Sequence, residues 1–326
     1  MSKIICIGSV CKDIFFPTSE GTIIDTPDDI LSQKKIAFEL GAKYKIGERF
    51  ETIGGCAGNV AVGLSRLGVE SSCYGIIGGD ESGTWIKDQL EKNGVGTELI
   101  EILSDSQSDM SAIIIDSRSA DRVIFSNQKA NGELIVDKGK IDDAEWIFIG
   151  DLHGEWEDNL DRIFEDAKDN GMKIAFNPRQ SNIHDNPKKI LDCIRGAEVL
   201  ILNKDESMEL VSALGESIPK EDLESEDFLV RKFLDLGAKV AVLTDGERGG
   251  WASDGGDVLH VAARNAEAVD STGAGDACAS AYLAAHMKGK GLEECLRWGI
   301  RNGASVVEHY GAIEGLLDEE KISSLE

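Results

Sequence analysis

The segment AVDSTGAGDACASAYLAAH, Ala268 to His286, holds the residue types and spacing best suited to chemistry. Gly273 and Gly275 precede a stretch rich in small residues: Ala277, Ala279, Ser280, Ala281, Ala284 and Ala285. Glycine lets a backbone turn tightly and approach a ligand closely. The first turn of the helix that follows presents unpaired N–H groups and the positive end of its dipole, so an anion is expected at Gly273–Asp276. The same helix end favours the ionised form of Asp276. A carboxylate beside a phosphate-binding hole can take the proton of an attacking hydroxyl. A plain helix cap is the bland alternative for Asp276. A cap, however, requires neither both glycines nor the small-residue helix behind them.

Three further segments carry weaker signals. GGCAGNVAVGLSRLG, Gly54 to Gly68, is a second glycine turn entering a helix, with Ala61, Leu64 and Leu67 on one apolar face. Asn59 in its first turn offers a donor and an acceptor, which suits a polyol as well as a cap. In LTDGERGGW, Thr244, Gly246 and Gly249 allow either a loop whose backbone touches a nucleotide or an ordinary turn. In LILNKDES, Asn203 and Glu206 stand three apart at a strand-to-helix junction. They can hold a hydrated Mg²⁺ ion or form a capping arrangement. There is no G-x-x-x-x-G-K-[ST] and no G-x-G-x-x-G after a strand, which excludes a P-loop NTPase and weakens a dinucleotide reading.

The elements that must position these residues alternate along the chain. Candidate strands are Lys3–Ile7, Ser72–Ile77, Trp146–Ile149, Lys173–Phe176, Glu198–Leu202 and Lys239–Leu243. Candidate helices are Cys56–Leu67, Ser82–Asn93, Glu157–Asn170, Lys204–Leu214, Asp227–Leu236, Ala277–Lys288 and Leu292–Glu308. Strand followed by helix, repeated, reads as a parallel sheet covered on both faces. Two segments break the rhythm. Ile14 to Phe50 mixes turn and polar residues, and SAIIID and RVIF are joined by the turn-like SRSAD. They suggest a small antiparallel sheet, used as a lid over a cleft or as surface decoration.

Composition narrows the partners. The net charge of −26 argues against nucleic acid and anionic membrane, both bound by basic patches. No run of eighteen apolar residues reads as a membrane span. The seven cysteines lack C-x-x-C spacing, so reduced cytoplasmic thiols are the simplest account. The five histidines show no metal-binding pattern.

Taken in order, these segments resemble the ribokinase-like (PfkB) carbohydrate kinases. DSTGAGD, Asp270 to Asp276, is similar to the family's C-terminal signature, with Ser271 in place of the usual threonine. Gly54, Gly55 and Asn59 resemble its N-terminal signature, followed here by Cys56 and Ala57 rather than the frequent Lys or Pro. The resemblance implies a three-layer α/β/α fold with a mostly parallel central sheet and a small β-sheet lid. The main domain would take residues 1–13, 51–108 and 132–326, and the lid 14–50 and 109–131. It implies transfer of the ATP γ-phosphate to a hydroxyl of a sugar, or of a nucleoside, with Mg²⁺. Asp276 would be the base, with backbone N–H groups of Gly273, Ala274 and Gly275 around the phosphoryl group. Asp13, Gly54, Gly55 and Asn59 would bind substrate. Asn203, Thr244, Gly246, Gly249 and Asn302 would bind ATP, and Glu206 would hold Mg²⁺ through water. Asp270 and Thr272 match a monovalent-cation site, K⁺ in some members. A homodimer through the lid is expected.

Overall fold

The computed structural model describes residues 3–26 and 34–324. Apolar runs without alternation become the centre of one large sheet. Its spatial order is Leu259–Val261, Gly250–Ser253, Val240–Thr244, Val199–Asn203, Lys173–Phe176, Trp146–Ile149, Lys3–Ile7 and Glu70–Tyr74. The six strands from Val240–Thr244 to Glu70–Tyr74 are parallel. The two at the other edge are antiparallel. Along Lys3–Ile7, Ile4 and Cys6 pack into one apolar cluster and Ile5 and Ile7 into the other. Both faces are therefore buried, which is why the strand reads as a continuous apolar run.

The helices Cys56–Arg66, Ala274–Met287 and Leu292–Val306 cover one face. Small residues bring them close. A Cβ on Gly63 would meet Ser280 Oγ at 2.2 Å, and one on Gly299 would meet Cys278 Sγ at 2.9 Å. The helices from Trp156–Asn170 to Glu226–Asp235 cover the other face.

A second sheet stands apart, in the order Arg122–Ser126, Met110–Asp116, Cys11–Thr18 and Phe50–Gly54. It is the small sheet expected of a lid. Its composition differs from the sequence reading, which saw no strand at Cys11–Thr18 or Phe50–Gly54. Asp13 consequently lies within the small sheet. The two sheets are tied at Asp109 and Asn131. The Asp109 carboxylate accepts from the N–H groups of Lys129, Ala130 and Asn131 and from Asn131 Nδ2, which also donates to Val10 O at 2.9 Å. Residues 27–33, part of the segment assigned to the lid, lie outside the described residues.

Candidate active site

In an open α/β sheet a ligand binds beyond the carboxyl ends of the strands, where the strand order reverses. The reversal here falls at Lys3–Ile7, which has Glu70–Tyr74 on one side and Trp146–Ile149 on the other. Thr244 and Asn203 are register partners at the ends of adjacent strands.

Asp276 lies in the first turn of Ala274–Met287, whose cap Gly273 has φ +77°. A side chain at Gly273 would place its Cβ 2.3 Å from Ala312 Cβ, so only glycine fits. Gly275 differs: no protein atom lies within 4 Å of a Cβ built there. The first-turn N–H groups of Gly275 and Asp276 have no acceptor inside the helix. Asp276 Oδ2 accepts from Asn59 Nδ2 at 2.8 Å, joining the two signature segments across 217 positions of sequence. Burial pushes the half-buried Asp276 carboxyl up to about 6. Hydrogen bonds from Asn59 and Cys56 oppose that rise, and the nearby charges of Asp151 and Asp13 add to it. The helix end therefore does not dominate as the sequence suggested, although the group is mostly ionised at neutral pH.

Asp13 is buried at 5% exposure, and desolvation raises its pKa against hydrogen bonds from Ser111 and Cys11. A Cβ on Gly54 would fall 2.1 Å from Asp13 Oδ2, so this glycine makes room for the carboxylate. Gly55, at φ +85°, caps the Cys56 helix, and its Cβ would strike Ser9 O at 2.5 Å. Thr52 lies opposite Asp13 in the small sheet. Thr52 Oγ1 and Asn59 Oδ1 are buried oxygens without a hydrogen-bond partner. Such orphans ask for a ligand or water to satisfy them.

Asp270 is fully buried. Its Oδ1 accepts from Thr272 N–H at 3.0 Å and Thr272 Oγ1 at 2.7 Å, and its Oδ2 from Gly311 N–H at 3.1 Å. Asn203 and Glu206 form a reciprocal capping box, each side chain accepting from the other's N–H at 2.9 Å. Burial raises Glu206 to about 7. Gly249, at φ +94°, would clash with Val261 O, whereas Gly246 faces open space. Asn302 is fully buried, donating to Ala277 O at 2.9 Å and accepting from Leu317 N–H at 2.9 Å, so both ends of its amide are bonded to backbone.

Sequence reasoning missed a cluster at the reversal point. Asp151 Oδ2 accepts from Ser9 Oγ at 2.5 Å and lies 3.4 Å from Arg179 Nη1. Arg179 Nη1 also donates to His153 Nε2 at 2.8 Å, because a guanidinium has only donors. Burial alone would raise Asp151, but contacts with His153 and Ser9 and the Arg179 charge hold it low. Ser9 Oγ in turn accepts from Cys56 N–H at 3.2 Å. No motif marks these residues. The available signal was their position just beyond the apolar runs WIFI and KIAF.

Comparison with known proteins follows the same lines. A model described as pfkB family carbohydrate kinase matches residues 28–319. An uncharacterized sugar kinase of Archaeoglobus fulgidus is 27% identical, over 78% of this chain and 98% of that one. A nucleoside kinase of Methanothermobacter thermautotrophicus is 28% identical, over 81% of each chain. The structure of a putative ribokinase II from E. coli, in complex with ATP and Mg²⁺, superposes with a TM-score of 0.78 at 20% identity, covering 99% of this chain and 98% of that one. That likeness shows a ribokinase-like fold.

Proposed function

The chain belongs to the pfkB family of carbohydrate kinases, a phosphotransferase with a hydroxyl acceptor, and from that premise we propose that it phosphorylates a sugar with ATP, using Asp276 as general base. The observation that carries this reading is the Asn59–Asp276 pair. A carboxylate at a glycine-bounded helix start is held by an amide whose other atom, Oδ1, is buried and unsatisfied. A substrate hydroxyl can donate to either oxygen.

The acceptor hydroxyl gives its proton to Asp276. Its oxygen forms the new bond to the γ-phosphorus as the bond to the β-phosphate oxygen breaks, and ADP leaves. The first-turn N–H groups from Ala274 to Asp276 face the charge on the phosphoryl oxygens. Asp13, Gly54, Gly55 and Asn59, with Thr52, bind the acceptor's other hydroxyls. Thr244, Gly246, Gly249 and Asn203 lie along the nucleotide. Glu206 fits a hydrated Mg²⁺: it is a half-buried oxygen donor whose raised pKa a cation would lower. Mg²⁺, when bound, neutralises phosphate charge. Asp270 fits a monovalent cation, because all its bonds come from neutral donors.

A nucleoside is the second reading. Phe50 and Tyr310 stack at 4.8 Å beside the Asp13 strand, offering a flat apolar surface to a base. The lid carries nine of the eleven exposed large apolar side chains among the described residues, Phe125 at 65% exposure among them. An edge strand with such a face suits pairing with a second copy, so we assign a homodimer through residues 14–50 and 109–131. A phosphorylation screen across sugars and nucleosides with ATP and Mg²⁺ tests the function. Transfer to one acceptor class is expected; transfer to none contradicts the reading.

A further inference from the structure

Of the seven cysteines, only Cys11 and Cys56 are not buried. Each stands against one of the two carboxylates assigned to the acceptor. Cys11 and Asp13 are two apart on one strand and so share a face. Cys11 Sγ donates to Asp13 Oδ1 at 3.3 Å. Cys56 opens the helix that carries Asn59. Residues three apart on a helix are neighbours on its surface. Asn59 Nδ2 reaches Asp276 Oδ2 at 2.8 Å, and the Cys56 thiol donates to the same carboxylate. That thiol has little freedom. A Cβ on Gly150 would lie 2.8 Å from Cys56 Sγ, so the sulfur packs on this glycine. Asn177 Oδ1 lies 4.0 Å away, its amide pinned by a 2.8 Å bond from Nδ2 to Ile201 O. The Cys56 N–H is held by Ser9 Oγ, which Asp151 anchors in turn.

Burial pushes both thiols well up, and the charges of Asp13 and Asp151 on Cys11, and of Asp276 and Asp151 on Cys56, add to the rise. Both therefore stay protonated and keep their donors. A carboxylate has about four acceptor positions, so one thiol leaves room for a substrate hydroxyl. A cation in its place would depress the basicity of the carboxylate much further. We propose that Cys11 and Cys56 are positioning residues, Cys56 orienting Asp276 towards the reacting hydroxyl and Cys11 orienting Asp13 towards the acceptor's other hydroxyls. Neither thiol changes a covalent bond. The remaining groups that act on Asp276 are Asn59, Asp151 and Asp13, and those on Asp13 are Ser111, Asp270 and Asp151.

The inference rests on the kinase reading, and its test separates the two. In the full chain, Cys56→Ala should lower kcat about three- to tenfold, the worth of one hydrogen bond. It should also move the acidic limb of kcat/KM to higher pH, because the lost donor favoured the ionised base. Cys56→Ser, which keeps a donor of similar size, should restore most of both. Cys11→Ala should raise the acceptor KM about three- to tenfold and leave the KM for ATP within about twofold. A merely structural thiol would change stability and leave the pH limb in place. The infrared S–H stretch is the second readout, since a donating thiol absorbs at lower frequency than a free one. The Cys56 band, isolated by subtracting Cys56→Ser, should rise in frequency when Asp276→Ala is introduced, and the Cys11 band should rise with Asp13→Ala. An unmoved acidic limb in Cys56→Ala, an effect that serine does not restore, or S–H bands indifferent to loss of the carboxylates would overturn the inference. If the wild type phosphorylates no acceptor, the proposed function fails, and the infrared comparison still decides whether the thiols hold the carboxylates.

Discussion

Asp276 is the residue on which the reading turns, and its environment fixes its pH behaviour. Its pKa is raised to about 6, with burial as the main cause. The base must be ionised, so kcat/KM should fall as pH drops through about 6. Asn59 lowers that pKa and Asp151 raises it. Asn59→Ala should move the acidic limb of the profile to higher pH, and Asp151→Asn should move it lower. Profiles of kcat/KM for the three proteins check this; shifts in the same direction would contradict it. The raised pKa also acts on stability. An acid whose folded pKa lies above its unfolded value destabilises the fold when ionised, and that cost is relieved as pH falls from about 6 towards 3.8. Asp276→Asn should therefore melt above the wild type at pH ~8, with the gap closing near pH ~4. Glu206, raised to about 7, should lose its proton on binding Mg²⁺. Mg²⁺ activation should weaken below that pH in the wild type and be flat in Glu206→Gln.

At the scale of elements, the glycine turn separates two kinds of glycine. Gly273 is required by its own fold, since φ +77° and Ala312 leave no room for a side chain. Gly275 is free of such constraint. Gly275→Val should therefore fold, as circular dichroism can verify, yet lose most turnover, because its methyl groups would enter space that the account gives to the phosphoryl group. Full turnover would place the anion hole elsewhere. The main elements were legible because their patterns are local. Lys3–Ile7, Trp146–Ile149 and Lys173–Phe176 form as their apolar runs predict. Cys11–Thr18 was not legible. Lys12 and Asp13 break its apolar run, and Pro17 argues against a strand. Its pairing is decided by Met110–Asp116, nearly a hundred residues away. The Asp151, His153 and Arg179 cluster was hidden for the same reason. Single polar residues after strands acquire meaning only when the sheet sets their ends side by side.

For the whole molecule, the lid accounts for one unusual feature, its exposed apolar side chains. Val123 and Phe125 point away from the face that carries Asp13, because Ser126 shares that face across the sheet and side chains alternate along a strand. Phe125→Asp should convert a lid-mediated dimer to a monomer in light scattering. An unchanged mass would remove the dimer and leave the site intact. The central claim is that Asp276 takes the proton as phosphate passes from ATP to a hydroxyl. It is tested most directly by the single-turnover rate of transfer from γ-labelled ATP to the acceptor found in the screen, in wild type and Asp276→Asn. The account predicts a fall of about a hundredfold or more, with ATP affinity retained. Transfer by Asp276→Asn at near the wild-type rate would contradict it.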